Sequence, residues 1–171
     1  MRLDKEVQEF IKRLQTSAPV DITGIAKVLG LKVWESSNFD RGIAGKLFRE
    51  EKAPNSLVYN IVVRAQDPLV RKRFTVAHEL AHYLLHRHLF ATELIDDALY
   101  RSGLSTPIEA QANGLAAELL MPWHLLMPAI DIPIPSLAEM FQVSEQAMGI
   151  RLESGREIAI RGSVGRSRPM A

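Results

Sequence analysis

The stretch that decides the fold is His78-Glu79-Leu80-Ala81-His82. On an α-helix, residues four apart lie on one face, about 6 Å apart along the axis. Two imidazoles at that spacing can hold one metal ion, and Glu79 is then placed to act on a water at that ion. The pattern therefore predicts a metal site with an adjacent general base, which is the arrangement of a metallopeptidase.

The residues around this motif predict the helix that it needs. Asp67-Pro68 is typical of a helix start, with Asp67 as N-cap and Pro68 at the first helical position. An apolar stripe then continues to about His88, and a strand predicted at 57–64 precedes the helix. The alternative interpretation is a solvent-facing polar edge on a core helix, but a helix that follows a strand favours the metal site.

A catalytic metal requires a third protein ligand and an open position for water. His86 shares the face of His78, but it lies about 12 Å away along a straight helix, which is too far for one ion. We therefore predict that His86 is a neighbour of the site or a surface residue. His88 leaves this face altogether, so the third ligand should come from elsewhere in the chain.

Glu109 is the candidate that the residue pattern offers. It lies near the start of a helix predicted to begin at Thr106-Pro107, and Asn113 follows one turn later on the same face. The pattern alone leaves two roles open for Glu109. It can be a metal ligand, or it can complete a capping box with Thr106.

Composition limits the classes of protein. The chain has 171 residues, a net charge of +1 and no cysteine. Disulfides and thiolate ligands are therefore excluded, and a metal must use His, Asp or Glu. The charge balance does not call for a polyanionic partner, and no apolar run resembles a membrane span or a signal peptide. We expect a cytoplasmic protein with one main domain and no membrane association.

The remaining pattern predicts an α+β fold that is mostly helical, with a small three-stranded sheet packed on the helix of the motif. Helices are predicted at 3–14, 20–29, 67–88, 92–100, 106–121, 136–141 and 144–152, and strands at 31–34, 44–48 and 57–64. Residues 122–135 should be an irregular connector with at most one helical turn. An extended peptide could add to the edge of the 57–64 strand.

Four blocks of the sequence, in order, resemble the ImmA/IrrE family of zincin-like metallo-endopeptidases. They are PVDI with LGLKV at 19–33, FTVAHELAHYLLH at 74–86, EAQANGLAAELLMP at 109–122 and LAEMFQVSEQAM at 137–148. Two departures are small: Ala81 stands where a glycine is common in the family, and Leu115 stands where an aromatic residue is common.

The resemblance implies that His78, His82 and Glu109 hold one divalent metal ion and that Glu79 is the catalytic base. It thus favours the ligand role of Glu109 over the cap. Zn²⁺ is the favoured ion, and the mixed imidazole and carboxylate ligands would also admit Mn²⁺. Asn113 and His86 are predicted to support the ligands from behind.

The resemblance also implies a protein substrate, specifically a helix-turn-helix repressor or an antitoxin. The residue that stabilises the oxyanion of the reaction stays unassigned by sequence. Its candidates are the tyrosines and histidines outside the ligand set: Tyr59, Tyr83, Tyr100, His86, His88 and His124.

A different class of function comes from residues 136–152, which also resemble a helix-turn-helix. The alternative is therefore a DNA-binding or protein-binding regulatory module in which the metal is structural. Its second helix offers Glu145, Gln146, Arg151 and Glu153, which do not form a cationic surface for phosphates, so we expect packing rather than DNA contact. The predicted division is a core at 1–126, a C-terminal helical segment at 127–160 packed on it, and a flexible tail at 161–171.

Overall fold

The computed structural model describes residues 3–39, 43–53, 56–89 and 105–164. The helices in these ranges are α1 (Lys5–Leu14), α2 (Ile22–Val28), α3 (Leu69–His86), α4 (Ser105–Leu120), α5 (Trp123–Leu126), α6 (Ile134–Phe141) and α7 (Glu145–Val164), and the strands are β1 (Leu31–Ser36), β2 (Gly45–Ala53) and β3 (Ser56–Arg64). The predicted α+β class with a three-stranded sheet is confirmed. The helix predicted at 92–100 lies outside the described residues.

β3 is the central strand of the sheet. It runs parallel to β1 on one side and antiparallel to β2 on the other. The prediction that the 57–64 strand offers a free edge to a peptide is therefore wrong, because both of its edges are already paired. A strand's side-chain pattern gives the face that it buries but not its neighbours. In the part of the chain that the structure describes, β2 is paired on one side only.

α3 packs against β2 and β3 and, most extensively, against α4. Its residues Ala77 and Leu80 are fully buried in the same core cluster as Leu47 and Ile61 of the sheet. The helix begins one residue later than predicted. Pro68 is the N-cap and makes no capping hydrogen bond with its side chain, while the carboxylate of Asp67 lies 3.3 Å from Nε of Arg71. The N-cap role predicted for Asp67 is therefore wrong.

A tight turn joins α6 to α7, with Gln142 in the left-handed conformation at a φ of 52°. Arg73 of α3 ties this turn to the core, since its guanidinium donates to the carbonyl oxygens of Gln142 at 3.3 Å and Val20 at 2.9 Å. Phe141 and Met148 are fully buried in the common core cluster. The separation of a C-terminal segment at residue 127 stays a prediction.

The C-terminal half is more helical than predicted. The connector at 122–135 contains α5 and a short 3₁₀ helix at Met127–Ala129. At most one helical turn was predicted there. α7 continues to Val164, beyond the predicted end at 152 and into the predicted tail. Glycine in α7 disfavours a helix, but Gly155 leaves room for the indole of Trp123, which a Cβ at position 155 would contact. Residues 165–171 lie outside the described residues.

Candidate metal centre

The three histidines of α3 lie in one row, because they are spaced four residues apart. The side chain of His78 is 17% exposed and that of His82 is fully buried. His86 is also buried. The row therefore runs from the rim of a cavity into the protein interior.

Glu109 of α4 brings its carboxylate to the first two histidines. Its oxygens lie 3.2 Å from Nε2 of His78 and 3.3 Å from Nε2 of His82, and these two nitrogens are 3.0 Å apart. Tetrahedral zinc with bonds near 2 Å spaces its ligand atoms by about 3.3 Å. The donor set and its spacing therefore fit a divalent ion held by two imidazoles and one carboxylate.

Glu79 is buried beneath the start of β2, with 3% of its surface exposed. A Cβ added to Gly45 would lie 3.3 Å from Oε1 of Glu79 and would overlap the methyl group of Thr75. Glycine at this position thus lets the strand approach the carboxylate. Glu79 and His78 both line one cavity, so the predicted base and a predicted ligand face the same space.

That cavity has a volume of about 640 Å³. Its walls come from the start of β2, the exposed side of α3, Asn113 of α4 and the α6–α7 turn. The lining is mostly apolar around the polar groups, with Val70, Phe74, Val143 and Ala147 contributing side chains. Such a cavity is typical of a site that holds part of a substrate.

Each histidine of the row has a hydrogen-bond partner at its Nδ1 atom. Nδ1 of His78 lies 3.0 Å from Oδ1 of Asn113, and Nδ1 of His82 lies 3.1 Å from Nδ1 of His86. The other nitrogen of His86, Nε2, lies 3.2 Å from Oε1 of Gln111. Asn113 and His86 were singled out by sequence, whereas Gln111 was not. Gln111 is two residues from Glu109 and so points away from it on an isolated helix. The sequence therefore did not indicate that Gln111 belongs to the same site.

Burial disfavours the charged form of these imidazoles and so lowers the pKa of each. It lowers the pKa of His82 to about 3, with further lowering by the neighbouring rings of His78 and His86. Burial also lowers the pKa of His78, although the carboxylate of Glu109 opposes this shift. Neutral imidazoles keep the lone pairs that a metal ion requires.

The predicted oxyanion candidates that the structure describes lie away from the cavity that Glu79 lines. Tyr59 and Tyr83 pack edge to face with ring centroids 4.8 Å apart, and Nε2 of His124 lies 2.9 Å from the carbonyl oxygen of Gln15. His86 bonds to His82 behind the site, and His88 is exposed in the turn after α3. None of these five lines the cavity, and Tyr100 lies outside the described residues.

Comparison with known proteins decides the family. The model of the peptidase family described as the IrrE N-terminal-like domain matches residues 26–153. The chain belongs to this family. The resemblance to ImmA/IrrE metallopeptidases that the sequence motifs indicated is therefore confirmed, and the motif helix α3 and the second motif on α4 both fall within the matched range.

Two further similarities agree with this assignment. The chain is 30% identical over 125 residues to the metallopeptidase ImmA of Bacillus subtilis strain 168, an alignment that covers 73% of this chain and 66% of that protein. It is also similar in fold to a Mycobacterium tuberculosis transcriptional regulator, with a TM-score of 0.53 and 15% identity over 85% of this chain and 46% of the other. The chain thus spans just under two thirds of its curated family relative and less than half of the solved structure.

Within the described residues, every helix is too short or too polar to cross a membrane.

Proposed function

We propose that this chain is a metal-dependent endopeptidase in which His78, His82 and Glu109 hold the ion and Glu79 is the general base. The observation that carries the proposal is the convergence of the three donor groups within 4.8 Å of one another beside a buried Glu79. Family membership supports peptide-bond hydrolysis as the reaction class. Zn²⁺ is the ion we propose, and Mn²⁺ is compatible with the same ligands.

When bound, the ion would polarise the scissile carbonyl group and lower the pKa of the attacking water. Glu79 would accept a proton from that water and then donate it to the nitrogen of the leaving amine. Asn113 would hold the ring of His78 in the orientation that binding needs.

The edge of β2 is the surface we propose for the peptide chain of the substrate. Gly45 at the start of β2 lines the same cavity as Glu79, and β2 has no second neighbour among the described strands. An extended segment paired with that edge would be held by backbone hydrogen bonds next to the base. This mode of binding suits cleavage inside a chain rather than at its end.

Metal analysis of purified protein tests the site. Wild type should hold about one ion per chain, and Glu109→Ala should lose it, because two imidazoles alone bind weakly. Glu118→Ala, nine residues along the same helix, is the matched control and should keep the metal. Glu79→Gln should keep the metal and lose cleavage, which separates the base from the ligands. A wild type that binds neither Zn²⁺ nor Mn²⁺ would end the proposal.

As substrate we propose one regulatory protein, a helix-turn-helix repressor or an antitoxin, on the strength of the family resemblance. Cell extract treated with wild-type protein or with Glu79→Gln can be compared by labelling new protein N-termini. We expect a few cleavage sites in regulators that only the wild type produces. Many sites spread over abundant proteins would show general proteolysis instead.

The DNA-binding alternative gains no support from the C-terminal helices. The exposed side chains in the first turns of α7 are Glu145, Gln146, Ile150 and Glu153, and Arg151 is buried. The guanidinium of Arg151 lies 4.8 Å from the ring of Trp123, and its Nε donates to the carbonyl oxygen of Met121. The side chain of Arg151 is thus engaged in packing.

A further inference from the structure

The hydrogen bonds behind His82 form a chain of three groups that ends on α4. Nδ1 of His82 lies 3.1 Å from Nδ1 of His86, and Nε2 of His86 lies 3.2 Å from the side-chain oxygen of Gln111. A neutral imidazole carries one proton, so one of its nitrogens donates while the other accepts. The direction of one bond in the chain therefore fixes the direction of the next.

Only one of the two directions leaves His82 able to bind a metal ion. If the oxygen of Gln111 accepts from Nε2 of His86, then Nδ1 of His86 accepts from Nδ1 of His82, and Nε2 of His82 is free. If the amide nitrogen of Gln111 donated instead, every bond would reverse and Nε2 of His82 would carry the proton. That nitrogen is the one facing Glu109 and His78.

We propose that Gln111 is a positioning residue, which acts through His86 to hold the proton of His82 on Nδ1 and so keeps Nε2 free for the metal ion. The structure has the side-chain oxygen of Gln111 towards His86, which is the direction that suits a metal ligand. Glu109 has the opposite effect on metal-free protein, since its carboxylate would accept a hydrogen bond from Nε2 of His82 and so favour a proton on that nitrogen. Gln111, at the other end of this series of hydrogen bonds, opposes that effect by favouring a proton on Nδ1 of His82.

Gln111 is suited to substitution because its side chain is only partly buried and also lines a second cavity, between α1 and α4. Gln111→Glu can only accept a hydrogen bond, Gln111→Lys can only donate, and Gln111→Met does neither. The charges that two of these variants introduce need a control. Ala110 is exposed and adjacent, so Ala110→Glu and Ala110→Lys carry the same charges without reaching His86.

The first measurement is the dissociation constant for Zn²⁺, by competition with a chelator. Gln111→Glu should bind at least as tightly as wild type, Gln111→Lys should bind about 10- to 100-fold more weakly, and Gln111→Met should fall between them. The Ala110 pair should differ by much less than the Gln111 pair. Equal differences in the two pairs would mean that charge alone acts, and the proposal would then be wrong.

The second measurement needs no metal and no activity. Ring-nitrogen NMR of metal-free protein reports which nitrogen of His82 carries the proton. We expect Nδ1 in wild type and Gln111→Glu, and Nε2 in Gln111→Lys. A proton on Nε2 of His82 in the wild type would overturn the inference, as would its staying on Nδ1 in Gln111→Lys.

The inference rests on the proposed metal site, yet the two can fail separately. A wild type without metal affinity would remove the proposed function. A wild type that binds Zn²⁺ with Glu109, while the Gln111 variants match their Ala110 controls, would remove only the role of Gln111.

Discussion

His82 shows at the scale of one residue how burial would prepare the metal ligand that we propose. Its ring is fully buried between those of His78 and His86, so a positive charge there would be poorly solvated and close to two further imidazoles. The protein therefore holds His82 neutral over the whole range in which an exposed histidine titrates. The cost of this arrangement should appear in the pH dependence of stability.

We predict that metal-free protein loses stability as the pH falls from about 6.5 towards 3. An unfolded chain protonates His82 near pH 6.5, whereas burial lowers the pKa of the folded form to about 3, so between these values the unfolded state binds more protons. One such histidine contributes a slope of about 1.4 kcal/mol per pH unit. Denaturant unfolding at several pH values should show a shallower slope for His82→Gln.

His88→Gln, which changes an exposed histidine two residues beyond His86, is the matched control for that experiment. It should keep the wild-type slope. If His82→Gln and wild type have the same slope between pH 5 and 6.5, His82 is already protonated or accessible to water in the folded protein. The range is chosen so that most carboxylates stay ionised.

The site residues differ in how far sequence could place them. His78 and His82 share a helix, so their spacing alone puts them on one face. Glu109 needed the family resemblance, because its approach depends on how α3 and α4 cross. Gln111 was missed, since neither its spacing from Glu109 nor its residue type indicates a contact with His86.

At the scale of elements, β2 lies so close to α3 that only glycine fits at position 45. We predict that Gly45→Ala destabilises the protein by about 1 to 3 kcal/mol, because the new methyl group would overlap that of Thr75. The Thr75→Ser substitution removes the clashing methyl group and keeps the hydroxyl that donates to the carbonyl oxygen of Arg71 at 3.0 Å. Gly45→Ala should therefore cost less in the Thr75→Ser background.

Denaturant unfolding of the four proteins in this double-mutant cycle measures the coupling between strand and helix. If Gly45→Ala lowers the free energy of unfolding by the same amount with and without Thr75→Ser, the methyl group of Thr75 is not the obstacle. The strand would then move away as a whole, or a different contact would oppose the new methyl group. We also expect Gly45→Ala to keep the metal and lose cleavage, since the same methyl group would contact Oε1 of Glu79.

The elements themselves were mostly predictable, and their arrangement was less so. Alternation in β3 identified the strand, but a free edge could not be judged from it, because pairing with β1 and β2 involves residues far away in sequence. The extent of α7 was underestimated for a similar reason. Gly155 weakens a helix locally, yet it makes room for Trp123 of a different helix.

On the scale of the whole molecule, the candidate metal centre joins two helices that residues 87–104 separate in the chain. His78 and His82 belong to α3, and Glu109 belongs to α4. The end of α4 is in turn held by the C-cap residue of α1, because the side-chain amide of Gln15 donates to the carbonyl oxygens of Glu118 and Leu119. Unfolding must therefore separate the proposed ligands, so metal binding at this site would be coupled to global stability.

We predict that bound metal raises the temperature of thermal unfolding. An ion at 100 times its dissociation constant stabilises the folded state by about 2.7 kcal/mol, which for a protein of this size is a shift of about 5–10 °C. Calorimetry of wild type with Zn²⁺ and with chelator should show this difference, and Glu109→Ala should show little of it. Glu118→Ala should respond to Zn²⁺ as wild type does. Loss of the ligand proposed on α4 must weaken a metal site that is shared by α3 and α4. If Zn²⁺ stabilises Glu109→Ala as much as it stabilises wild type, the ion therefore binds elsewhere on the fold.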